Sequence, residues 1–253
     1  MNLLAFETST EVMSIAVSRT LGGVVSVREY SGAGGAQASA HLIGQILALL
    51  QQADLPLKSL DAICFGAGPG SFTGLRTACS VAQGLAYGAG VPVLAVDSLL
   101  AVAEEARAQA LSDQAACRIT ALLDARMDEI YAATWTWSGG LWAELTDSAL
   151  LRPEALQSQG AVLAGNVFGV YAGRLGAAHG GVGHALQIAA LPTATALLRV
   201  APQWLAAGLA VDAAQALPRY IRDKVAKTTA ERDHEKALAR DAAQVARAAS
   251  ASV

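Results

Sequence analysis

One ten-residue pattern occurs twice in this chain and limits what it can fold into. Phe6-Glu7-Thr8-Ser9-Thr10-Glu11-Val12-Met13-Ser14-Ile15 aligns without a gap on Leu123-Asp124-Ala125-Arg126-Met127-Asp128-Glu129-Ile130-Tyr131-Ala132. In both, an apolar strand ends in a carboxylate, a short turn follows and a second strand returns. A third strand is expected after each Gly-Gly pair, Gly22-Gly23 and Gly139-Gly140. The pattern predicts two copies of a β-β-β-α-β-α unit, although β-turn-β pieces recur in many folds.

Periodicity supplies the remaining elements. Strands are expected at residues 2–6, 12–18, 24–29, 61–65 and 92–96, with helices at 39–53 and 75–89. Asp97-Ser98 reads as the cap of a further helix running to about Arg107. The second half offers strands at 118–123, 142–146 and 161–164, a short helix from Pro153 and a longer one at 193–207. The predicted division is a first lobe over 1–100, joined by part of 218–230, a second over 101–217, and a charged tail, helical or partly disordered, over 231–253.

Between the strand at 61–65 and the helix from Leu75 lies Gly68-Pro69-Gly70-Ser71-Phe72-Thr73-Gly74-Leu75-Arg76. A Gly-rich loop opening a helix presents backbone N–H groups at a positive dipole end, which suits an anion. Gly68, Gly70, Ser71 and Arg76 are the candidate contacts. Neither a Gly-Lys-Ser/Thr nor a G-x-G-x-x-G spacing is present. The glycines also suit a plain turn, with Ser71 or Thr73 capping the helix.

This segment, continuing through Ala82-Gln83-Gly84-Leu85-Ala86, resembles the signature of the bacterial TsaB (YeaZ) family. LLAFETSTEVMSIAV at the start, DARMDEIYAATW at 124–135 and PRYIRDKVA at 218–226 agree with it. The resemblance implies an α/β fold of the actin/Hsp70/sugar-kinase-like (ASKHA) type, two related lobes each with a mixed sheet flanked by helices. It also implies a non-catalytic role in making N6-threonylcarbamoyladenosine at position 37 of tRNA. The direct partner would be the catalytic subunit TsaD, with the ATPase TsaE in the assembly, tRNA reached through the complex, and a homodimer when alone. No cofactor is expected in the isolated chain; ATP and a metal belong on the partner subunits.

The alternative is a self-sufficient ATP-binding or metallopeptidase-like enzyme of the same fold. Glu7 and Asp124 stand where phosphotransferases of this fold keep cleft carboxylates, and an acid/base or magnesium pair is the active reading. Against it, the turn after Glu7 lacks glycines for close phosphate approach. His41 lacks a second His four residues on, where Gln45 stands, so no metal site is expected. No catalytic residue is assigned, and Ser71 is not in a nucleophile elbow. His179 and His184 read as loop residues.

Helix 39–53 is apolar on two sides, with Leu42, Ile46 and Leu49 on one line and Ile43, Leu47 and Leu50 on another. A helix on a sheet needs only one stripe. The resemblance implies a four-helix interface, for which His41, Leu42, Ile46, Leu49, Val81 and Leu85 are the candidates. The other reading buries both helices in their own lobe.

Charge and composition add limits. Hydrophobic residues make up 53% and charged ones 15% of the chain. Residues 1–217 carry a net charge of −6 and residues 218–253 a net of +3, so the body is a poor match for an RNA backbone. No long apolar run suits a membrane span. Neither a basic start nor an unbroken apolar segment marks a signal peptide. Cys64, Cys79 and Cys117 read as reduced thiols of a cytoplasmic protein.

Overall fold

The computed structural model describes residues 1–158, 161–179, 181–183 and 185–222. The expected tail over 231–253 and His184 lie outside them. Residues up to Ile221 form one unit.

The chain opens with three antiparallel strands, β1 (Leu3–Glu7), β2 (Val12–Leu21) and β3 (Val24–Ala33). Helix α1 (Ala38–Gln52) crosses to β4 (Ala62–Gly68), and α2 (Phe72–Ala89) crosses to β5 (Val93–Asp97). Both crossovers are parallel, giving a five-stranded mixed sheet in the order β3-β2-β1-β4-β5. Helix α3 (Ser98–Ala110) follows at once, its first turn capped by Asp97 Oδ1, which accepts from the N–H groups of Leu99 and Leu100.

The second half repeats this plan. Strands β6 (Ala116–Arg126), β7 (Glu129–Ser138) and β8 (Leu141–Leu151) form the antiparallel meander. Strands β9 (Val162–Gly165) and β10 (Gln187–Ala189) add in parallel, separated by the single helical turn α4 (Phe168–Tyr171). The order is β10-β9-β6-β7-β8, and α5 (Ala194–Ala206) closes the unit. The equivalents of α1 and α2 have shrunk to a 3-10 turn and α4. The gapless repeat slips by one residue on the returning strand. Glu7 faces Ser14, but Asp124 faces Ile130, not Tyr131, and the ladder is irregular between Asp124 and Arg126. A tight turn at Met127-Asp128, both with positive φ, replaces the longer first turn.

Three cores hold these layers. On the outer face of the first sheet, Leu4, Phe6, Met13, Ile15 and Val17 meet α1 and α2. A smaller cluster of Leu122, Ile130, Leu163 and Tyr171 covers the outer face of the second sheet. The largest core lies on the inner faces and includes Leu3, Leu99, Val102, Ile119, Leu197 and Val200. Here the helices exchange partners. The first sheet ends at Asp97 and the second begins at Ala116, but α5, assigned to the second lobe, packs on β1, β2, β4 and β5. Its first turn is pinned where the Ala194 N–H donates to Ser14 Oγ.

Candidate functional site

The turn between β1 and β2 is the natural place to look for chemistry, and α2 closes it. An ideal Cβ at Gly74 would sit 1.9 Å from the Thr8 carbonyl oxygen, and one at Gly70 would sit 2.5 Å from Ser9 Cβ. Thr8 Oγ1 donates to the Gly74 carbonyl at 2.8 Å, and the Ser71 N–H donates to the Ser9 carbonyl at 2.8 Å. Thr8, Ser9 and Thr10 are buried in consequence. Gly70 and Gly74 make the room this turn occupies. Gly68, not Gly70, carries the positive φ of +116°. Ser71 is the helix cap, accepting weakly from the Gly74 N–H at 3.5 Å.

Glu7 is fully buried. The Ser9 N–H donates to its Oε1 at 2.7 Å and Ser98 Oγ to its Oε2 at 2.9 Å. Gly66 makes room beneath it, since a Cβ there would lie 1.8 Å from Oε2. Among the described residues no cation faces the carboxyl, and burial raises its pKa above the ordinary value of 4.5. Desolvation of an ionised carboxylate outweighs the hydrogen bonds it receives.

Asp124, its counterpart in the repeat, has an unlike setting. Its Oδ1 accepts from the Arg126 N–H and from the Tyr171 hydroxyl, and its Oδ2 pairs with Arg126 at 3.4 Å. Its own N–H donates to Asn166 Oδ1. The two carboxylates share no partner. Among the described residues no three His, Cys, Asp or Glu side chains are grouped to hold a metal. His41 lies exposed near the start of α1, whose cap is Gln37. His179 is exposed beside Gln157.

A carboxylate that the sequence marks only as a helix cap is better connected. Asp97 Oδ2 accepts from Arg219 and from Ser148 Oγ of β8, while Oδ1 caps α3. Burial pushes its pKa up to about 6, against the opposing pull of Arg219. Only the cap was legible, because Ser148 and Arg219 are remote in sequence. A cavity of about 740 Å³ opens between β2, β3, the second half of α3 and the start of α5. Glu11, Glu29 and Glu105 line it with Asn166, and no Lys or Arg does, which is a poor setting for phosphates.

The outer helices require a correction. Leu42, Ile46 and Leu49 were expected on the partner face, yet they are at most 4% exposed and packed on the first sheet. They form the line of α1 that points inward, together with Leu50. The open apolar line is Ile43 at 48% and Leu47 at 52% exposure. Val81 and Leu85 of α2 are half-buried at the edge of the same core. Gly44, Gly84 and Gly88 lie on the open sides of the two helices, with nothing within 4 Å of where a Cβ would stand.

Comparison with known proteins agrees with this architecture. The family model described as TsaD, tRNA N6-adenosine threonylcarbamoyltransferase, matches residues 34–249. The chain is 32% identical over 238 residues to the tRNA threonylcarbamoyladenosine biosynthesis protein TsaB of Escherichia coli K12, covering 89% of this chain and 96% of that one. It is 38% identical over 131 residues to the TsaB of Haemophilus influenzae, 52% of each chain. The solved structure of YeaZ from Pseudomonas aeruginosa superposes with a TM-score of 0.74 at 35% identity, over 87% of this chain and 99% of that one. The two mixed sheets with their exchanged helices are thus an ASKHA-like fold, and the chain belongs to the TsaB (YeaZ) family.

Proposed function

We propose that this chain is a non-catalytic activating subunit of a cytoplasmic complex that makes N6-threonylcarbamoyladenosine at position 37 of tRNA. It acts by pairing with TsaD, which performs the transfer, with TsaE joining the assembly. ATP and metal sit on those partners, and the chain forms a homodimer when alone. The names of its relatives support the pathway. Burial of Glu7 and the acidic lining of the cavity support the non-catalytic part, since neither makes a phosphate cradle.

The observation that carries the pairing is the open side of α1 and α2. Three helix-interior glycines there each cost roughly 0.5–1 kcal/mol relative to Ala and relieve no crowding within the chain. Ser80, Gly84 and Gly88 form a small-residue line at i, i+4 and i+8 of α2, and Ile43 and Leu47 are exposed on α1. Such a surface lets a second pair of helices approach closely.

Leu47→Glu tests this. An ionised carboxylate stranded in a desolvated seam should weaken association with TsaD by about 3–5 kcal/mol in titration calorimetry. The circular-dichroism spectrum of the isolated variant should be unchanged, because the side chain there reaches water. Unaltered affinity would remove this face from the interface.

A further inference from the structure

The loop at the start of α2 carries a feature that neither the fold nor the helix seam uses. Phe72 stacks on Tyr220 with ring centroids 5.0 Å apart and planes 22° from parallel. The Arg76 guanidinium carbon stands 5.7 Å from the Phe72 centroid and 5.8 Å from that of Tyr220. Its Nε donates to the Tyr220 hydroxyl at 3.1 Å. No carboxylate pairs with Arg76 among the described residues, and the first turn of α2 holds no acidic residue. The terminal amino groups of a cation already held by two rings remain available for an anion.

Fastening residues 216–220 to the body does not explain this cluster. The Arg219 N–H donates to the Ala67 carbonyl at 2.7 Å, and the Arg219 side chain pairs with Asp97 at 2.9 Å. The Ala216 carbonyl accepts from Gln83 and from the Cys79 thiol. Tyr220 keeps 41% of its surface exposed. The sequence from 218 onward is net basic, unlike the acidic body.

We propose that Phe72, Arg76 and Tyr220 form a contact for single-stranded RNA. A base stacks against the exposed part of Tyr220, and an adjacent phosphate takes the terminal amino groups of Arg76. Aromatic rings paired with a guanidinium match a nucleotide, which offers a π-face and a phosphate together. An acidic peptide would use the charge alone. The choice of RNA rests on the tRNA-modification reading above.

The test uses the full chain, a short fluorescein-labelled single-stranded RNA and a labelled oligoglutamate peptide, read by fluorescence anisotropy at several salt concentrations. The chain should bind the RNA in preference to the peptide. Tyr220→Ala and Arg76→Ala should each weaken RNA binding by about tenfold. Arg76→Ala should also reduce the salt dependence by about one phosphate contact, which a folding defect would not do selectively. Leu217→Ala, an exposed neighbour outside the cluster, should bind as the parent does. Equal affinity for RNA and peptide, or undiminished RNA binding by both cluster variants, overturns the proposal. Calorimetry of the same variants with TsaD keeps the two readings apart. Intact TsaD binding with weakened RNA binding is the expected result, whereas lost TsaD binding with unchanged RNA binding would mark a protein contact and overturn it. Failure of the parent chain to bind TsaD would count against the functional reading while leaving the RNA measurement interpretable.

Discussion

Glu7 shows how one buried carboxyl can look catalytic in sequence and act structurally. It ties the end of β1 to the first residue of α3 through Ser98 and orders the Thr8-Ser9 turn through the Ser9 N–H. Glu7→Ala would leave both groups unpaired beside a cavity and should cost about 2–4 kcal/mol. Glu7→Gln keeps the shape, with Ser98 Oγ free to accept from the amide. The pH dependence gives a sharper check. Because burial raises the folded-state pKa, folded Glu7 holds a proton that the unfolded chain releases above about pH 4.5. Its contribution to stability is therefore complete below that pH and is lost as pH rises through the folded-state value. Urea unfolding between pH 4 and 8 should show the parent losing stability relative to Glu7→Gln as pH increases. A constant difference would mean that the carboxyl does not titrate in the folded state.

At the scale of the element, α1 and α2 each serve two surfaces. Gly84→Ala should stabilise the isolated chain by about 0.5–1 kcal/mol, since the added methyl meets open space and the backbone loses freedom in the unfolded state. The same methyl should weaken pairing with TsaD by holding the helices apart. A thermal melt and a titration on one variant therefore test the trade-off, and stabilisation without loss of affinity would remove Gly84 from the seam. Ile46→Glu should unfold the first lobe, read as loss of the far-UV circular-dichroism signal, because Ile46 is fully buried against the sheet. The double apolarity of α1 was legible in the sequence, but which line faces inward was not. Both lines satisfy a 3.6-residue period, and only the position of the sheet decides between them. Most strands and the Asp97 cap were likewise readable from local pattern. Strand β10, three residues long, was missed because it carries too little alternation. Asp97 with Ser148 and Arg219, and Tyr220 on Phe72, were hidden because such contacts join remote segments.

The exchange of α3 and α5 determines how the unit up to Ile221 should unfold. Helix α3 packs on β6, β7 and β9 of the second sheet, and α5 on β1, β2 and β4 of the first, while the two helices touch each other. A buried polar node lies between them. Glu104, 1% exposed, accepts from Arg107, from Arg199 of α5 and from the Trp142 indole of β8. Gln203 exchanges two hydrogen bonds with the Trp142 backbone. Neither sheet can lose its inner cover without exposing the other's, so the lobes should unfold in one transition despite their duplicated plan. All four tryptophans, Trp135, Trp137, Trp142 and Trp204, lie in the second sheet or α5. The three in the second sheet report on that side and Trp204 on the shared inner core, while far-UV circular dichroism reports on every helix. The two denaturant curves should coincide in midpoint and slope. Glu104→Ala, which leaves Arg107 and the Trp142 indole without their buried acceptor while Arg199 keeps Glu105, should shift both together by about 1–3 kcal/mol. If the fluorescence transition moves while the dichroism splits into two steps, the lobes are separable, and the shared helical layer is not what couples them.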